Sequence, residues 1–286
     1  MKLGLLTPVV MQLPGAAAGW EQAAGPAHLL RVAEAADRLG YAHITCSEHV
    51  AVPESRSQER GLTYWDPLAT LSFLAARTSR VRLATNVLVL GYHHPLEIAK
   101  RYGTLDTLSG GRVTLGVGVG TLEEEFELLG APFADRGGRA DDALRALRTS
   151  LSVRMPAYEG TYYRYSGLVV EPRAVQSPVP IWVGGRTRLS LRRALALADG
   201  WMPMTLSPER CRQMVAEATA ESGCPDGFEL VLGPGRPLDP IGDPDRTRAS
   251  LERLTGAGAT TINTSFVSDS VDHYLEQMEA LLVLTR

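Results

Sequence analysis

The chain has 286 residues, 44% of them hydrophobic and 21% charged, with a formal net charge of −3. That is the composition of an ordinary soluble globular protein, long enough to bury a core without covalent staples. No basic stripe points to nucleic acid and no basic amphipathic helix to a membrane surface, and no apolar run reaches the ~20 residues that span a bilayer.

KLGLLTPVV (2–10) reads as a first strand rather than a leader, because Thr7 and Pro8 break its apolar run and no small-residue cleavage site follows. A helix is predicted over 27–40, with Leu29, Leu30, Val32, Ala33, Ala36 and Leu39 at helical spacing between Pro26 and Gly40. HITCSEH (43–49) is a second strand. The helix over 66–78 starts with Asp66 as N-cap and Pro67 at its first position. RLATNVLVL is a third strand, with a polar pair, Thr85 and Asn86, inside an otherwise apolar run. A buried asparagine needs partners for both ends of its amide. PLEIAKRYGTLDTLSGG is a helix stopped by Gly110 and Gly111, and RVTLGVGVG (112–120) is a fourth strand.

Two helical stretches follow, TLEEEFELLG and RADDALRALRTSL. The segment 156–180, rich in Tyr, Gly and Pro, is an irregular excursion with a hairpin. Alternation then resumes. Strands are predicted at 181–185, 200–204, 228–234 and 259–267. Helices are predicted after Thr187, from Ser207–Pro208, from Asp243–Pro244 and from about Val271. Strands alternating with helices imply a parallel sheet. Eight units in one chain of this length predict a single (β/α)8 TIM barrel over 1–286, with the excursion between the fourth helix and the fifth strand. A doubly wound sheet is disfavoured, because TPVVMQLPG after the first strand is no dinucleotide fingerprint.

The cysteines, Cys46, Cys211 and Cys224, are scattered without C-x-x-C spacing. They read as small buried hydrophobes in a reducing cytoplasm, not as disulfides or a zinc cage.

A barrel's active site lies at the carboxyl ends of its strands. The suspects there are Thr7, Glu48 with His49, Thr85 with Asn86, Gly118 to Thr121, Gly184 to Thr187, Met204 with Thr205, and Asn263 to Ser265. His49 can move a proton near neutral pH. Glu48 and His49 are strand neighbours and point to opposite faces. The glycines of GVGVG (116–120) mark close approach of another backbone or a ligand. GGRT (184–187) ends a strand and opens a helix, with Thr187 as cap and Arg186 as added charge, which suits a phosphate. The adjacent His93 and His94 lack ligand-spaced partners, so no metal is expected. The acidic run EEEFELLG (123–130) reads as a solvated helix face, with Glu123 or Glu124 near the barrel mouth as the exception.

Taken together, ITCSEHV, the continuous run from Tyr64 through GVGVG, EEEFELLGAPFADRG and PVPIWVGGRTRLSLRRALALADGW resemble the luciferase-like monooxygenase superfamily. The resemblance is specifically to its coenzyme F420-dependent oxidoreductase branch, and it covers most of residues 1–204. The resemblance implies a barrel that forms a homodimer, with a deazaflavin or flavin across the carboxyl face. Its phosphate end is expected at Gly184, Gly185, Arg186 and Thr187. Its ring is expected beside Glu48, Thr85, Asn86, Val87, Gly118, Val119, Gly120 and Thr121. A non-prolyl cis bond at Asn86–Val87 is implied, as is a proton-handling role for His49. The sugar-phosphate dehydrogenases of this branch carry a glutamate directly after the glycine run, and Thr121 stands there instead. The expected activity is hydride transfer between F420 and a small organic substrate. The alternatives are an FMN-dependent monooxygenase served by a partner reductase and a non-catalytic flavin-binding barrel. Substrate choice falls to the loops around 11–25, 50–65 and 156–180 and to the last third. Tyr64, Trp65, Tyr92, Tyr162, Tyr163 and Tyr165 mark an aromatic pocket or a dimer contact, and the short 50–65 loop implies an open site.

Overall fold

Five prolines open helices in this chain. Pro26, Pro67, Pro95, Pro208 and Pro244 each sit in the first turn, where the missing N–H has no partner to lose. The caps Asp66, Thr187, Ser207 and Asp243 each accept a backbone N–H three residues on. Gly40 and Gly110 end their helices in the left-handed conformation. The fold is taken from a computed structural model describing residues 1–15 and 17–285. Ala16, in the 11–25 loop, lies outside the described residues.

The barrel strands are β1 (Lys2–Leu5), β2 (His43–Cys46), β3 (Arg82–Thr85, resuming at Leu88–Val89), β4 (Val113–Gly118), β5 (Ile181–Gly184), β6 (Gly200–Met202), β7 (Glu229–Leu232) and β8 (Thr261–Thr264). All neighbours pair in parallel. β1 pairs with β8 at Lys2–Thr261, and β3 with β4 at Leu83–Val113, so the sheet closes as a (β/α)8 barrel. The main helices are α1 (Pro26–Leu39), α2 (Pro67–Ala75), α3 (Pro95–Ser109), α4 (Arg136–Ser150), α5 (Arg188–Leu197), α6 (Pro208–Ser222), α7 (Pro244–Gly256) and α8 (Val271–Leu284). Their apolar faces and the outer faces of the strands form one continuous core.

Most strands are shorter than the sequence suggests. Predicted β1 ran to residue 10 and predicted β2 to residue 49, but pairing stops at Leu5 and Cys46. Beyond those points the chain bends to form the barrel rim, where polar side chains bond across strands. The Thr45 amide, for example, donates to the Thr7 hydroxyl. The excursion does contain a hairpin, Tyr158–Glu159 against Arg164–Tyr165. Two buried carboxylates fix it to the helices. Asp106 accepts from the amides of Val113, Val175 and Gln176, and Asp142 from those of Tyr162 and Tyr163. Cys46 and Cys211 are buried as expected, whereas Cys224 is exposed in the turn after α6. No helix among the described residues is long and apolar enough to cross a membrane.

Inside the barrel His43 is wholly buried and bonds to Asn263, an expected strand-end suspect that instead faces the interior. A Cβ on Gly4 would fall 2.0 Å from the His43 ring, so only glycine fits there. Burial, opposed by the bond to Asn263, pulls the imidazole pKa down from 6.5 to about 4. The unfolded chain takes up a proton in that interval and the folded chain does not. The stability from neutral His43 is therefore complete above pH 6.5 and is lost as pH falls toward 4, an effect of about 3 kcal/mol. Urea unfolding at about pH 7 and about pH 4.5 should show a loss roughly 2–3 kcal/mol smaller in His43→Gln than in the native chain. Equal losses in both would contradict this assignment.

Candidate active site

At the carboxyl end of β2 the chain presents Ser47, Glu48 and His49, and each engages a different element. The Ser47 hydroxyl donates to the Asn86 carbonyl at 2.6 Å. Glu48 is buried and spends both oxygens on protein donors, the Val89 amide at 2.6 Å and His93 Nε2 at 2.6 Å. It thereby pins the chain where β3 resumes. Although burial opposes it, Glu48 raises the His93 pKa by hydrogen bond and charge, with Glu97 adding to the effect. His94 stays exposed as the N-cap of α3.

His49 turns the other way, as strand alternation requires. Its Nδ1 lies 2.7 Å from Glu125 Oε2. The Glu125 carboxylate is buried, and it also accepts from the Tyr92 hydroxyl at 2.7 Å and from the amides of Val50 and Ala51. Burial alone would raise its pKa. The hydrogen bonds from His49, Tyr92 and Val50 outweigh that and hold it below the usual carboxylate range. Burial and the same carboxylate push the Tyr92 hydroxyl well up. An ionised carboxylate only accepts, so His49 Nδ1 carries hydrogen. Nε2 then has no protein partner among the described residues. The Tyr64 ring packs edge-on to the imidazole at 4.5 Å, completing a wall around it.

The acidic run is therefore not a uniformly solvated face. Glu123 and Glu124 are exposed, and Glu125 is the residue that reaches the site. Its signal is present in the spacing. Leu122, Glu125 and Phe126, at i, i+3 and i+4, share one helical face, and all are buried. Arg60 is also absent from the sequence reading. The 50–65 loop holds a short helix, Ser57–Arg60, that carries Arg60 Nη2 to 3.3 Å from the exposed Thr121 hydroxyl. This loop thus reaches the end of β4 and sets Tyr64 against His49.

The Asn86–Val87 bond is cis, at the position the resemblance implies. The Thr85 hydroxyl donates to the Gly116 carbonyl at 2.7 Å, and the Asn86 amide N–H to Cys46 O at 2.8 Å. The Asn86 side chain is half-buried, with no partner among the described residues. The polar pair thus divides: Thr85 locks two strands, and Asn86 offers its amide at the rim.

Val87 explains two glycines. Cβ atoms on Gly118 and Gly184 would lie 2.7 Å and 2.8 Å from its two methyls, so its side chain fills a slot between β4 and β5. At Gly116 a Cβ would meet the Thr85 carbonyl oxygen at 2.0 Å, a close backbone approach as expected. Gly120, with φ of 78°, faces the Phe126 ring. Val119, half-buried, packs on the core.

Next to Gly184, Gly185 has φ of 131° and would meet Ser190 if it carried a side chain. Thr187 caps α5 through the Ser190 amide, at 3.2 Å. Arg186 is exposed, and its guanidinium has no partner among the described residues. Thus β2, β3, β4 and β5 bring one continuous rim together: His49 with Glu125, the Asn86 amide, the glycine run, and a helix start with an uncommitted cation. Such a rim can hold an elongated anionic ligand across the strand ends beside a group that moves protons.

A closed parallel (β/α)8 barrel that gathers polar side chains at its carboxyl rim has the architecture in which barrel enzymes build their sites. The chain belongs to the luciferase-like monooxygenase family, whose family model matches residues 1–261. An uncharacterized Mycobacterium tuberculosis protein is 33% identical over 250 residues, covering 82% of this chain and 83% of that one. The F420-dependent glucose-6-phosphate dehydrogenase of Intrasporangium calvum is 30% identical over 196 residues, covering 64% and 56%. Among solved structures, the monooxygenase RslO1 from Streptomyces bottropensis superimposes with a TM-score of 0.79 at 25% identity, covering all of both chains.

Glu125→Gln should lower turnover by about 10–100-fold, because the amide cannot accept from His49, Tyr92 and two amides together. Unchanged turnover in Glu125→Gln would mean that the carboxylate is only structural.

Proposed function

We propose that this protein is an oxidoreductase that transfers a hydride between coenzyme F420 and a small organic substrate, with His49 as its proton donor or acceptor. The observation that carries this reading is the His49–Glu125 pair, with Nδ1 held and Nε2 uncommitted, at the rim beside the Asn86 amide. The sequence likeness to an F420-dependent dehydrogenase supports the choice of coenzyme.

The residues fit the group. Arg186, Gly185 and the start of α5 suit a phosphate, because glycine lets an anion approach free amides and Arg186 has no competing carboxylate. Asn86, Val87 and the β4 glycines would support the ring. F420, when bound, supplies a two-electron hydride carrier at its ring carbon C5. His49 Nε2 would give a proton to the substrate atom that gains charge, or take one from an alcohol. Glu125 keeps the imidazole oriented by accepting from Nδ1. Tyr64, Tyr92 and the Ser57–Arg60 turn would keep bulk water away.

Thr121 stands where the sugar-phosphate dehydrogenases have a second acid–base residue, and its hydroxyl is engaged by Arg60. Oxidation of that sugar phosphate is therefore not proposed. A second reading, an FMN-dependent monooxygenase, is favoured by the likeness to RslO1. Titration of the purified protein with F420 and with FMN, followed by fluorescence, separates the two. The proposal expects saturable F420 binding. Tight FMN binding with none of F420 would overturn it.

A further inference from the structure

Helices α4 and α5 both start at the carboxyl rim, beside the ends of β4 and β5, and their first two turns are rich in arginine. Several of these charges are spent on carboxylates. Arg139 pairs with Asp135 at 2.8 Å, and Arg188 and Arg193 pair with Glu217 and Asp141. Arg136, the first residue of α4, has no carboxylate within ion-pair distance among the described residues. Neither has Arg186, just ahead of α5.

Arg136 is nonetheless held in place. Its Nε donates to the Gly120 carbonyl at 3.2 Å and its Nη1 to the Phe133 carbonyl at 3.0 Å. Its guanidinium lies over the Phe133 ring, 3.8 Å from the centroid, and Phe133 rests in turn on Phe126. Nη2 has no acceptor among the described residues. The side chain is half-buried, so the fork is ordered before any ligand arrives and little rotamer freedom is left to lose on binding.

Its position lies on the course expected for the coenzyme. β4 and β5 pair with Val117 opposite Val183, so Gly118 to Gly120 and Gly184 to Arg186 leave the sheet as neighbours, about 4.8 Å apart. Val87 touches both Gly118 and Gly184. On the outer side, Arg193 of α5 donates to the Gly137 carbonyl at 3.1 Å, which sets the start of α4 against α5. A ligand that runs from the Asn86 amide to the start of α5 must therefore pass the end of β4, where Arg136 holds Gly120.

We propose that Arg136 binds an oxyanion on the side chain of the coenzyme, as a second cation alongside Arg186. The inference rests on the coenzyme class proposed above. The F420 side chain carries a phosphodiester and, further along, carboxylates, and a guanidinium fork suits either. The two arginines stand at different helix starts and can hold different oxyanions, so no single group has to reach both.

The test is fluorescence titration of the full chain. Its ligands are F420, the phosphorylated ribityl deazaflavin without carboxylates, the ribityl deazaflavin without phosphate, and FMN. Arg136→Gln should weaken F420 by at least about tenfold, the worth of one charge-assisted hydrogen bond, and leave the phosphate-free ligand unchanged. An equal loss with the phosphorylated form assigns the oxyanion to the phosphate, and a loss with F420 alone assigns it to a carboxylate. Arg136→Lys keeps the charge without the fork and should restore part of the affinity. Where Arg136→Gln does not fold, Arg136→Lys is the test, with a several-fold loss of F420 relative to the phosphate-free ligand. If the native chain binds FMN in place of F420, the coenzyme reading fails, and a tenfold loss of FMN in Arg136→Gln with riboflavin unchanged still upholds the role of Arg136. Unchanged affinity for the phosphorylated ligands in the variants, or an equal loss of the phosphate-free ligand, overturns the proposal. So does a native chain that binds none of these ligands.

Discussion

Replacing His49 with alanine is expected to slow hydride transfer by about 10²–10⁴-fold, the usual contribution of a positioned general acid–base group, and to leave F420 affinity nearly unchanged. The split follows from the geometry. The expected phosphate site, at Gly185 to Thr187 on the far side of Val87, makes no contact with His49. Glu125 would still accept from Tyr92, Val50 and Ala51 after the change, so the buried carboxylate is not stranded. Anaerobic stopped-flow oxidation of reduced F420 by a panel of enones, ketones and nitro compounds measures the rate. Added imidazole should restore part of it, because the space left beside Tyr64 and Glu125 has the ring's own shape. An unchanged rate would remove His49 from the mechanism. An equal loss of coenzyme affinity would make its role one of binding.

Gly116→Ala is expected to cost at least about 4 kcal/mol, among the larger effects of single substitutions, and to lower Tm by roughly 8 °C or more. The new Cβ would lie 2.0 Å from the Thr85 carbonyl oxygen and 3.0 Å from the Met202 methyl. The carbonyl belongs to backbone that cannot step aside. Thr85 is paired with Cys46 on one side, and its hydroxyl is bonded to the Gly116 carbonyl on the other. Any yielding would also shift Asn86 and Val87, so coenzyme affinity should fall with stability. Gly137→Ala is the control. In helix α4 its Cβ would meet only Arg193 Nη2, at 3.5 Å. There alanine should stabilise by about 0.5–1 kcal/mol. Thermal melts of both variants check the contrast, and a Gly116→Ala protein that melts like the native one would refute the close-approach reading.

Features governed by local chemistry were legible in the sequence. The caps at Asp66, Thr187, Ser207 and Asp243 and the stops at Gly40 and Gly110 depend on a few neighbouring residues, and they stand where the sequence puts them. Eight alternations were enough to specify the barrel, and the resemblance located the cis bond. What escaped were contacts between distant segments. Glu125 sits in an acidic run whose composition suggests solvent, and it is buried because His49, 76 residues away, supplies a donor. Arg60 reaches Thr121 across 61 residues. Glu21 is a third case. It is buried and accepts from the amides of Val9 and Ala18, and Val9 is held at a φ of 76°. The strand ends were overextended for the same reason. Apolar and β-branched residues continue past Leu5 to Val10, but the pairing partners do not.

The most direct measurement of the central claim is transfer of label from reduced F420 carrying deuterium at C5, run without oxygen. The account predicts that deuterium appears on a carbon of the reduced product and that His49→Ala slows its appearance. A product that carries no label, formed only when FMN, a reductase and oxygen are supplied, would contradict it.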